Sequence, residues 1–336
     1  MEKYVVSKYS CPRNLLGVCF FVAICLRLGY VIQIRCTVPK YSRPTVYTDE
    51  KAVLCSIQAK EDAYIDEWVD YHLGIGFEMI YIYDNSDNFD LRNWGNQRFL
   101  DNVRVKHFPG TRILLGTSPQ CLAYIDCAKR AEKDGATWAA FFDIDEFLLL
   151  KKNENINEFL VEYGPSKGAI GINWLIVGTS NATKYEAKPV TLRFQHTDPQ
   201  NGANVHIKTI ARVKEIKKFN TPHCAIFIDK TTKTIDTNGY TINGPFNRNM
   251  TTDIAVLYHY RYKSKEEFIA RKSDDSRSFG NKELARYGPL PVGATFDDSV
   301  WQVLKSRVPR YGLLEDIRIE QILSIYLRMF MQKICH

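Results

Sequence analysis

Clustered metal ligands are scarce in this chain of 336 residues, which has only seven histidines and nine cysteines. No Cys and His residues follow the spacing of a structural zinc site, which argues against a zinc module. Metal-dependent phosphoesterases and nucleotidyltransferases usually gather more His and Asp ligands, so they remain a secondary hypothesis. The sequence has no Lys/Arg-rich block, no internal repeat and no low-complexity tract, which disfavours nucleic-acid binding and repeat architectures.

The balance of residue types is that of a folded globular protein. Hydrophobic residues make up 45% of the chain and charged residues 25%, which is enough apolar material for a full core. The net charge of +7 is spread evenly along the sequence. A mild positive charge of this kind fits a cleft that binds an anionic ligand.

One long apolar segment stands near the N-terminus, at residues 14–34, with Arg27 as its single charge. As a helix this segment would span about 31 Å, enough to cross a bilayer core. We predict an uncleaved signal anchor there, with residues 1–13 as a short cytoplasmic tail and 35–52 as a stem. A cleavable signal peptide is the alternative, because the uninterrupted apolar core of residues 15–26 is short.

Two features fit an oxidising, glycosylating compartment. Asn181 and Asn249 each begin an Asn-X-Thr sequon, which accepts glycans in a secretory lumen. Six cysteines remain outside the N-terminal segment, and this even set could form disulfides, although the sequence does not determine their pairing. Cys121 and Cys127 lie six residues apart on a predicted helix and therefore point to different faces.

Strand and helix patterns alternate from residue 53 onward. This βαβ order indicates a Rossmann-like α/β fold, with a mostly parallel sheet flanked by helices, and ligands bind such sheets beyond the carboxyl ends of the strands. The first predicted strands cover residues 53–59, 79–83, 103–108 and 138–150, with helices at 62–74 and 120–133. The later predicted strands cover residues 169–174, 190–195, 206–213, 225–229 and 254–260, with helices at 264–272 and 314–333.

The most informative segment is Phe-Phe-Asp-Ile-Asp-Glu-Phe-Leu-Leu at residues 141–149. In a continuous strand, Asp143 and Asp145 would point to one face with Cα atoms about 6.6 Å apart. Carboxylates roughly 6 Å apart repel by about 3 kcal/mol at an effective dielectric of about 20, so burial of both requires a cation. Oxygen ligands of this type suit Mg²⁺ or Mn²⁺. A structural ion pair or a turn is the alternative interpretation.

Several sequence blocks, taken in order, resemble glycosyltransferase family 92 and the related family-2-like group. They span about residues 53–272, and their order and spacing are more specific than any one of them. The blocks are residues 59–72, residues 81–87, Gln120 with residues 123–127, residues 143–148, Trp174 with residues 178–180, residues 206–210, and residues 259–268.

The resemblance implies a GT-A fold with a nucleotide-sugar-binding sheet and a catalytic domain at residues 53–336. It implies a metal-dependent, inverting enzyme that moves a sugar, often galactose, from a nucleotide-sugar donor such as a UDP-sugar to a glycan acceptor. It also favours a single-pass type II protein of the Golgi or ER membrane, with its catalytic domain in the lumen.

Residue roles follow from the same resemblance. Asp145 would bind Mn²⁺ or Mg²⁺ directly, and Asp143 would contact the ribose, or the metal through water. His259 would complete the metal site as a neutral imidazole, with a purely structural role on its strand as the alternative.

Four further residues are candidate contacts for donor or acceptor. Asp84 could accept hydrogen bonds from the ribose or base, or it could cap the turn that begins there. Lys208 and Arg261 could neutralise phosphate, or they could be solvated surface charges. Trp174 could form a platform for the acceptor sugar, or it could pack in the core.

The general base that an inverting transfer requires is not assigned by the sequence. Glu146 is one candidate, although in a continuous strand it would face away from Asp143 and Asp145. The loop acids Glu186, Asp198 and Asp274 are the others.

One block departs from the family pattern, because Lys60-Glu61-Asp62 stands where Lys-Asn-Glu is usual. The departure favours the competing hypothesis of a non-catalytic, membrane-anchored sugar- or nucleotide-binding protein on the same fold. The intact pair of Asp143 and Asp145 favours an enzyme.

Overall fold

The computed structural model describes residues 49–94, 101–110, 117–273 and 293–314. The predicted tail, anchor, most of the stem, Asp274 and nearly all of the predicted C-terminal helix at 314–333 lie outside these ranges. No helix within the ranges is long and apolar enough to span a bilayer.

The first half of the described chain alternates strands and helices. Its elements are β1 (Ala52–Gln58), α1 (Asp62–Gly74), β2 (Met79–Asp84), β3 (Val103–His107), α2 (Pro119–Lys133), β4 (Trp138–Phe141), β5 (Glu146–Leu150), α3 (Ile156–Tyr163) and β6 (Ala169–Ile176).

The second half is richer in short strands. Its elements are α4 (Val190–Arg193), β7 (His196–Thr197), β8 (Ile207–Arg212), β9 (Ile216–Thr221), β10 (Cys224–Phe227), β11 (Thr234–Ile235), β12 (Thr241–Ile242), β13 (Ala255–His259), α5 (Lys265–Ser273), β14 (Thr295–Phe296) and α6 (Ser299–Arg307).

The central sheet has a parallel half and a mixed half. Strands β3, β2, β1 and β4 lie side by side and run parallel. Strand β8 follows β4 and is antiparallel to both β4 and β6, while β13 is parallel to β6 and antiparallel to β5. The predicted α/β architecture with helices flanking a mostly parallel sheet is therefore confirmed.

The predicted fourth strand at 138–150 is wrong as a single element. The chain forms β4, leaves the sheet at residues 142–145 and then forms β5. The break arises because β4 pairs with β1 whereas β5 pairs with β13, so the chain must change partners between them. Asp143 and Asp145 consequently lie in a turn, closed by the Glu146 N–H donating to the Asp143 carbonyl at 3.1 Å.

The predicted strand at 190–195 is also wrong in its first part, where residues 190–193 form the short helix α4. The buried carboxylate of Glu67 accepts hydrogen bonds from the backbone N–H groups of Val190 (2.6 Å) and Thr191 (2.9 Å). A carboxylate that satisfies the first free N–H groups of a helix stabilises it. This long-range cap is invisible to a local pattern.

Helix α1 fixes the strand that follows the Asp143–Asp145 turn. The Trp68 indole donates to the Glu146 carbonyl at 2.8 Å, and the Tyr71 hydroxyl donates to the Leu148 carbonyl at 2.8 Å. All four residues are buried in the sheet–helix layer. Since buried carbonyls need partners, these bonds hold β5 in place beside the turn.

A disulfide joins Cys55 of β1 to Cys127 of α2, with Cα atoms 6.1 Å apart and a sequence separation of 72. Cys121 and Cys224 remain free thiols. The disulfide ties the helix beside the Asp143–Asp145 turn to the central strand.

Replacing Cys55 and Cys127 together with alanine is expected to lower the free energy of unfolding by about 4 kcal/mol, because a cross-link over a loop of this length restricts the unfolded chain. Urea unfolding measures the change. Cys224→Ala is the control, with an expected change of less than about 1 kcal/mol. An unfolding midpoint of the wild type that does not move under reducing conditions would contradict this expectation.

Candidate active site

The Asp143–Asp145 turn lies at the carboxyl end of β4, where a Rossmann-like sheet binds ligands. The side chain of Asp143 is 30% exposed and that of Asp145 is 6% exposed. The Asp145 carbonyl accepts a hydrogen bond from the Tyr260 N–H at 2.8 Å, directly after β13. This bond continues the pairing of β13 with β5 and brings the end of β13 against the turn that follows β4.

Asp143 is held by three side chains. Its Oδ1 accepts hydrogen bonds from Gln120 Nε2 at 2.6 Å and from the Tyr124 hydroxyl at 3.1 Å. Its Oδ2 lies 2.9 Å from Lys208 Nζ. Gln120 and Tyr124 are four residues apart on α2, a spacing that places both on one helix face. The four-residue spacing is visible in the sequence, but the sequence does not show that Gln120 and Tyr124 bind Asp143.

Lys208 is a buried counterion. Its side chain is fully buried, as is that of Glu146, whose Oε2 lies 3.4 Å from Lys208 Nζ. Burial alone would lower the pKa of Lys208, but the carboxylates of Asp143 and Glu146 raise it well above its usual range. Lys208 thus stabilises the turn through Asp143 and Glu146, and it is not the solvated surface charge of the alternative interpretation.

The surroundings of Glu146 disfavour its charged form, whereas those of Lys208 favour the charged form. Burial raises the pKa of Glu146 well above the ordinary value, and the charges of Asp143 and Asp145 raise it further. Its Oε2 accepts a hydrogen bond from the Asp143 N–H at 2.8 Å. An enclosed carboxyl that is bonded to the turn is poorly placed to reach an acceptor hydroxyl.

Asp145 lies among three basic side chains. Its Oδ1 is 3.4 Å from His259 Nε2, and its Oδ2 is 3.5 Å from Arg271 Nη1 and 3.8 Å from Lys263 Nζ. Burial disfavours the charged form, but His259 and Lys263, with Arg271, hold the pKa of Asp145 well below its usual range. Burial lowers the pKa of His259, which favours the neutral imidazole.

These contacts to Asp145 are long for ion pairs, which close to about 2.7–2.9 Å when they are well formed. Among the described residues, the Asp145 carboxylate is therefore not saturated by its partners. His259 Nδ1 is buried and has no hydrogen-bond partner within the described part of the chain.

Asp145 and His259 are side chains of the kind that would hold a divalent cation. The described residues contain no group of three or more His, Cys, Asp or Glu side chains arranged to hold a metal ion. Mg²⁺ is commonly held by only one or two carboxylates together with substrate phosphates and water. The donor set of one carboxylate and one imidazole suits Mn²⁺ or Mg²⁺ when phosphate oxygens complete it.

Glu61 is the residue that sequence reasoning treated only as a departure from the family block. It follows β1, whose carboxyl end neighbours that of β4 in the parallel sheet. Burial and the charge of Asp145 raise the pKa of Glu61 to about 7. The adjacency of parallel strand ends was the signal that could have placed Glu61 beside Asp145.

Trp174 is not an open platform. It is 5% exposed, and three imidazoles contact its ring. His206 stacks on it with ring centroids 4.8 Å apart, His259 lies at 4.4 Å and His223 meets it edge-on at 5.2 Å. The structure favours the packing interpretation for Trp174 itself and brings three histidines around it.

Asp84 is fully buried and has the contacts of a turn cap. Its Oδ1 accepts hydrogen bonds from Gln58 Nε2 and the Ser86 N–H, both at 3.0 Å, and its Oδ2 accepts one from the Leu91 N–H at 2.8 Å. These three bonds leave Asp84 shaping the loop at the end of β2.

The remaining candidates lie apart from the turn or at its margin. The Arg261 carbonyl accepts a hydrogen bond from Arg271 Nη2 at 2.9 Å, which places its backbone beside the Asp145 group. Glu186 is exposed and pairs with Lys188 at 2.6 Å. Asp198 accepts a hydrogen bond from the side chain of Asn201 at 2.9 Å.

Residues 54–288 match the model of glycosyltransferase family 92. The chain belongs to glycosyltransferase family 92. A family 92 protein of Oryza sativa subsp. japonica is 28% identical over 156 residues, which cover 46% of this chain and 26% of that protein. One of Ricinus communis is 23% identical over 227 residues, which cover 65% and 36%. The chain therefore spans about a quarter to a third of the length of these relatives, and the predicted family is confirmed.

Two solved structures show distant similarity to this family 92 chain. HddC from Yersinia pseudotuberculosis aligns with a TM-score of 0.33 and 10% identity, covering 57% of this chain and 93% of that one. A 4-diphosphocytidyl-2C-methyl-D-erythritol synthase aligns with a TM-score of 0.29 and 13% identity, covering 49% and 76%. Similarity at this level does not establish a shared activity.

Proposed function

We propose that this chain is a metal-dependent, inverting glycosyltransferase. It would move a sugar, with galactose as the first candidate, from a nucleotide-sugar donor to a glycan acceptor. The observation that carries the proposal is the unsaturated Asp145 carboxylate, 3.4 Å from His259 at the carboxyl edge of a family 92 sheet.

Asp145 and His259 would hold Mn²⁺ or Mg²⁺. The bound metal would neutralise charge that develops on the departing nucleoside diphosphate. Asp143 would meet the donor ribose from its exposed side, since Gln120 and Tyr124 fix the orientation of its carboxylate.

Lys263 and Arg271 would take the remaining charge of the diphosphate. Lys263 is buried, and its ammonium lies over the Tyr64 ring at 4.4 Å and 3.8 Å from Asp145. Its backbone has φ of +55°, a left-handed conformation that is uncommon for a side chain of this size and concentrates at functional sites. Arg271 reaches the same carboxylate from α5 and is partly exposed.

Lys263→Met is expected to weaken UDP binding about 10-fold, because one charge-assisted contact contributes about 1.5–3 kcal/mol. Uridine, which has no phosphate, is expected to bind both proteins equally. Isothermal titration in Mn²⁺ measures both ligands. Lys265→Met, an exposed lysine at the start of α5, is the matched control. Equal UDP affinity in Lys263→Met and wild type would rule out this contact.

The function is tested by incubating the full-length protein with Mn²⁺ and a panel of UDP- and GDP-sugars, then measuring the released nucleotide. Release from UDP-galactose that requires Mn²⁺ and stops with EDTA is the expected result. Absence of both nucleotide binding and release for every donor would contradict the proposal.

The second candidate is a non-catalytic, membrane-anchored sugar- or nucleotide-binding protein on the same fold. Glu61 favours it, because a carboxyl beside Asp145 adds negative charge where a donor diphosphate would bind. UDP binding with no nucleotide release from any donor would identify this second candidate.

We also propose residence in the Golgi or ER membrane, as a single-pass type II protein with a lumenal catalytic domain. Asn181 and Asn249 are both exposed, as acceptor sites for glycans must be. A shift in gel mobility on treatment with a glycosidase specific for N-linked glycans, abolished in Asn181→Gln/Asn249→Gln, is expected. An unshifted wild-type band would count against a lumenal domain.

A further inference from the structure

Four rings that contact one another form what we call the Trp174 cluster: Trp174, His206, His223 and His259. Trp174 lies on β6, His259 ends β13, and His206 immediately precedes β8. The backbone N–H of Trp174 donates to the backbone carbonyl of His206 at 3.0 Å, so the two residues are cross-strand neighbours. His206 and His223 also contact each other, with centroids 5.2 Å apart.

Hydrogen bonding fixes the tautomer of His206. Its Nδ1 lies 2.9 Å from the Ala203 carbonyl. Because a carbonyl only accepts hydrogen bonds, Nδ1 must carry the proton, and the neutral ring keeps its lone pair at Nε2. His206 therefore presents a basic nitrogen on the side of the ring away from its backbone contact.

The cluster places His206 close to the donor site. His259 contacts both the Trp174 ring and Asp145, so one indole separates His206 from the Asp145–His259 pair. His206 also stands two residues before Lys208, so the two side chains leave the same side of the extended chain, and Lys208 binds Asp143. His206 is thus linked to Asp145 through Trp174 and His259, and it leaves the extended chain on the same side as the lysine that binds Asp143.

His206 is also reachable. It is half-buried, and its ring meets the edge of Phe246 at 4.7 Å. The side chain of Phe246 is 43% exposed. His206 is thus more exposed than Trp174 (5%) and His259 (6%).

We propose that His206 is the general base that deprotonates the acceptor hydroxyl, an inference that rests on the proposed function. The acceptor oxygen forms a bond to the anomeric carbon of the donor sugar as the bond from that carbon to the diphosphate oxygen breaks. The bonding electron pair leaves with the nucleoside diphosphate. The hydroxyl proton moves to His206 Nε2, and the resulting imidazolium later returns it to solvent.

Two contacts stabilise the imidazolium that this step forms. The face of Trp174, stacked at an interplanar angle of 20°, attracts a cation. The Ala203 carbonyl accepts a hydrogen bond that strengthens when the ring becomes charged. The buried Trp174 indole would thereby stabilise the charged His206 ring, and it need not contact a sugar.

His223 is the nearest competitor and is less suited. Its Nδ1 lies 3.0 Å from the Ile207 carbonyl, so its Nε2 is likewise the acceptor nitrogen. Burial and the charge of Lys208 lower the pKa of His223 to about 4, which makes it a weak base at neutral pH. The three acids considered from the sequence have other partners: Glu146 bonds to the Asp143 N–H, Glu186 pairs with Lys188, and Asp198 accepts from Asn201.

The test replaces His206 with asparagine in the full-length protein. The asparagine amide retains a donor in the position of Nδ1 and removes Nε2. His223→Asn makes the same change on the neighbouring ring and is the matched control. The readout is cleavage, with water as acceptor, of whichever of UDP-galactose, UDP-glucose and UDP-N-acetylglucosamine the wild type cleaves fastest. UDP affinity and thermal unfolding are measured in parallel.

His206→Asn is expected to cleave the donor about 100-fold more slowly, within the usual contribution of a general base. Its UDP affinity and unfolding temperature are expected to match those of the wild type, and His223→Asn is expected to stay within about 3-fold of the wild-type rate. A rate for His206→Asn equal to wild type, equal losses in both variants, or a loss confined to His223→Asn would each overturn the inference. Cleavage of no donor by the wild type would instead mark failure of the proposed function, on which the inference depends.

Discussion

Asp145→Asn is expected to lower the rate of nucleotide release about 1000-fold while leaving the protein folded. Asparagine keeps the size of the side chain but loses the charge that would bind the metal. A loss of about 4 kcal/mol in transition-state stabilisation corresponds to that factor, and a metal that neutralises a leaving diphosphate contributes several kcal/mol. Single-turnover release at saturating donor and Mn²⁺ measures the effect.

The loss expected for Asp145→Asn does not depend on titration of Asp145 itself at mildly acidic to basic pH. The surrounding cations hold its pKa well below the ordinary value, so the wild-type carboxylate stays ionised as the pH rises from mildly acidic to basic. Asp145→Asn should therefore show a large loss at every pH in that range.

Two measurements make the Asp145 result specific. Asp253→Asn changes an exposed carboxyl to an amide and should leave release unchanged. In Asp145→Asn, UDP should no longer raise the unfolding temperature more strongly with Mn²⁺ than without it. Full release by Asp145→Asn would show that the carboxylate does not hold the metal.

Local sequence patterns predicted an element correctly where its contacts in the fold match the local apolar pattern. Helix α1 occupies the predicted residues 62–74, because its apolar spacing and its burial coincide. The strand predicted at 138–150 failed because apolar residues continue through Phe142 and Ile144, both fully buried. The exchange of partners from β1 to β13 produces the break, and β13 lies more than a hundred residues further along the chain.

The candidate active site likewise contains residues that a motif reveals and residues that only the fold brings together. The carboxylate pair and His259 could be picked out by motif, and the structure places Asp145 and His259 together. Lys263 and Arg271 could not be picked out, because nothing in a solvated-looking basic stretch shows that its side chains converge on a carboxylate over a hundred residues earlier. Lys208 was noticed but given the wrong surroundings, since the sequence does not reveal that it is fully buried.

Lys208→Met is expected to reduce the free energy of unfolding by about 3–5 kcal/mol, the cost of removing one partner from a buried ion pair. The ammonium lies 2.9 Å from Asp143 and 3.4 Å from Glu146, and no water-exposed surface of Lys208 remains to offset its loss. Methionine fills a similar volume, so the change reports charge more than packing. Urea unfolding at neutral pH measures it.

Glu146→Gln combined with Lys208→Met separates electrostatics from packing. If the single variant is unstable because two carboxyls repel across the emptied site, neutralising Glu146 should restore more than half of the lost free energy, and the double-mutant cycle should show coupling. Lys214→Met, at an exposed lysine, provides the baseline for a lysine-to-methionine change, with an expected effect within about 0.5 kcal/mol. No recovery in the double variant would mean that the lysine stem, rather than its charge, supports the turn that carries Asp143 and Asp145.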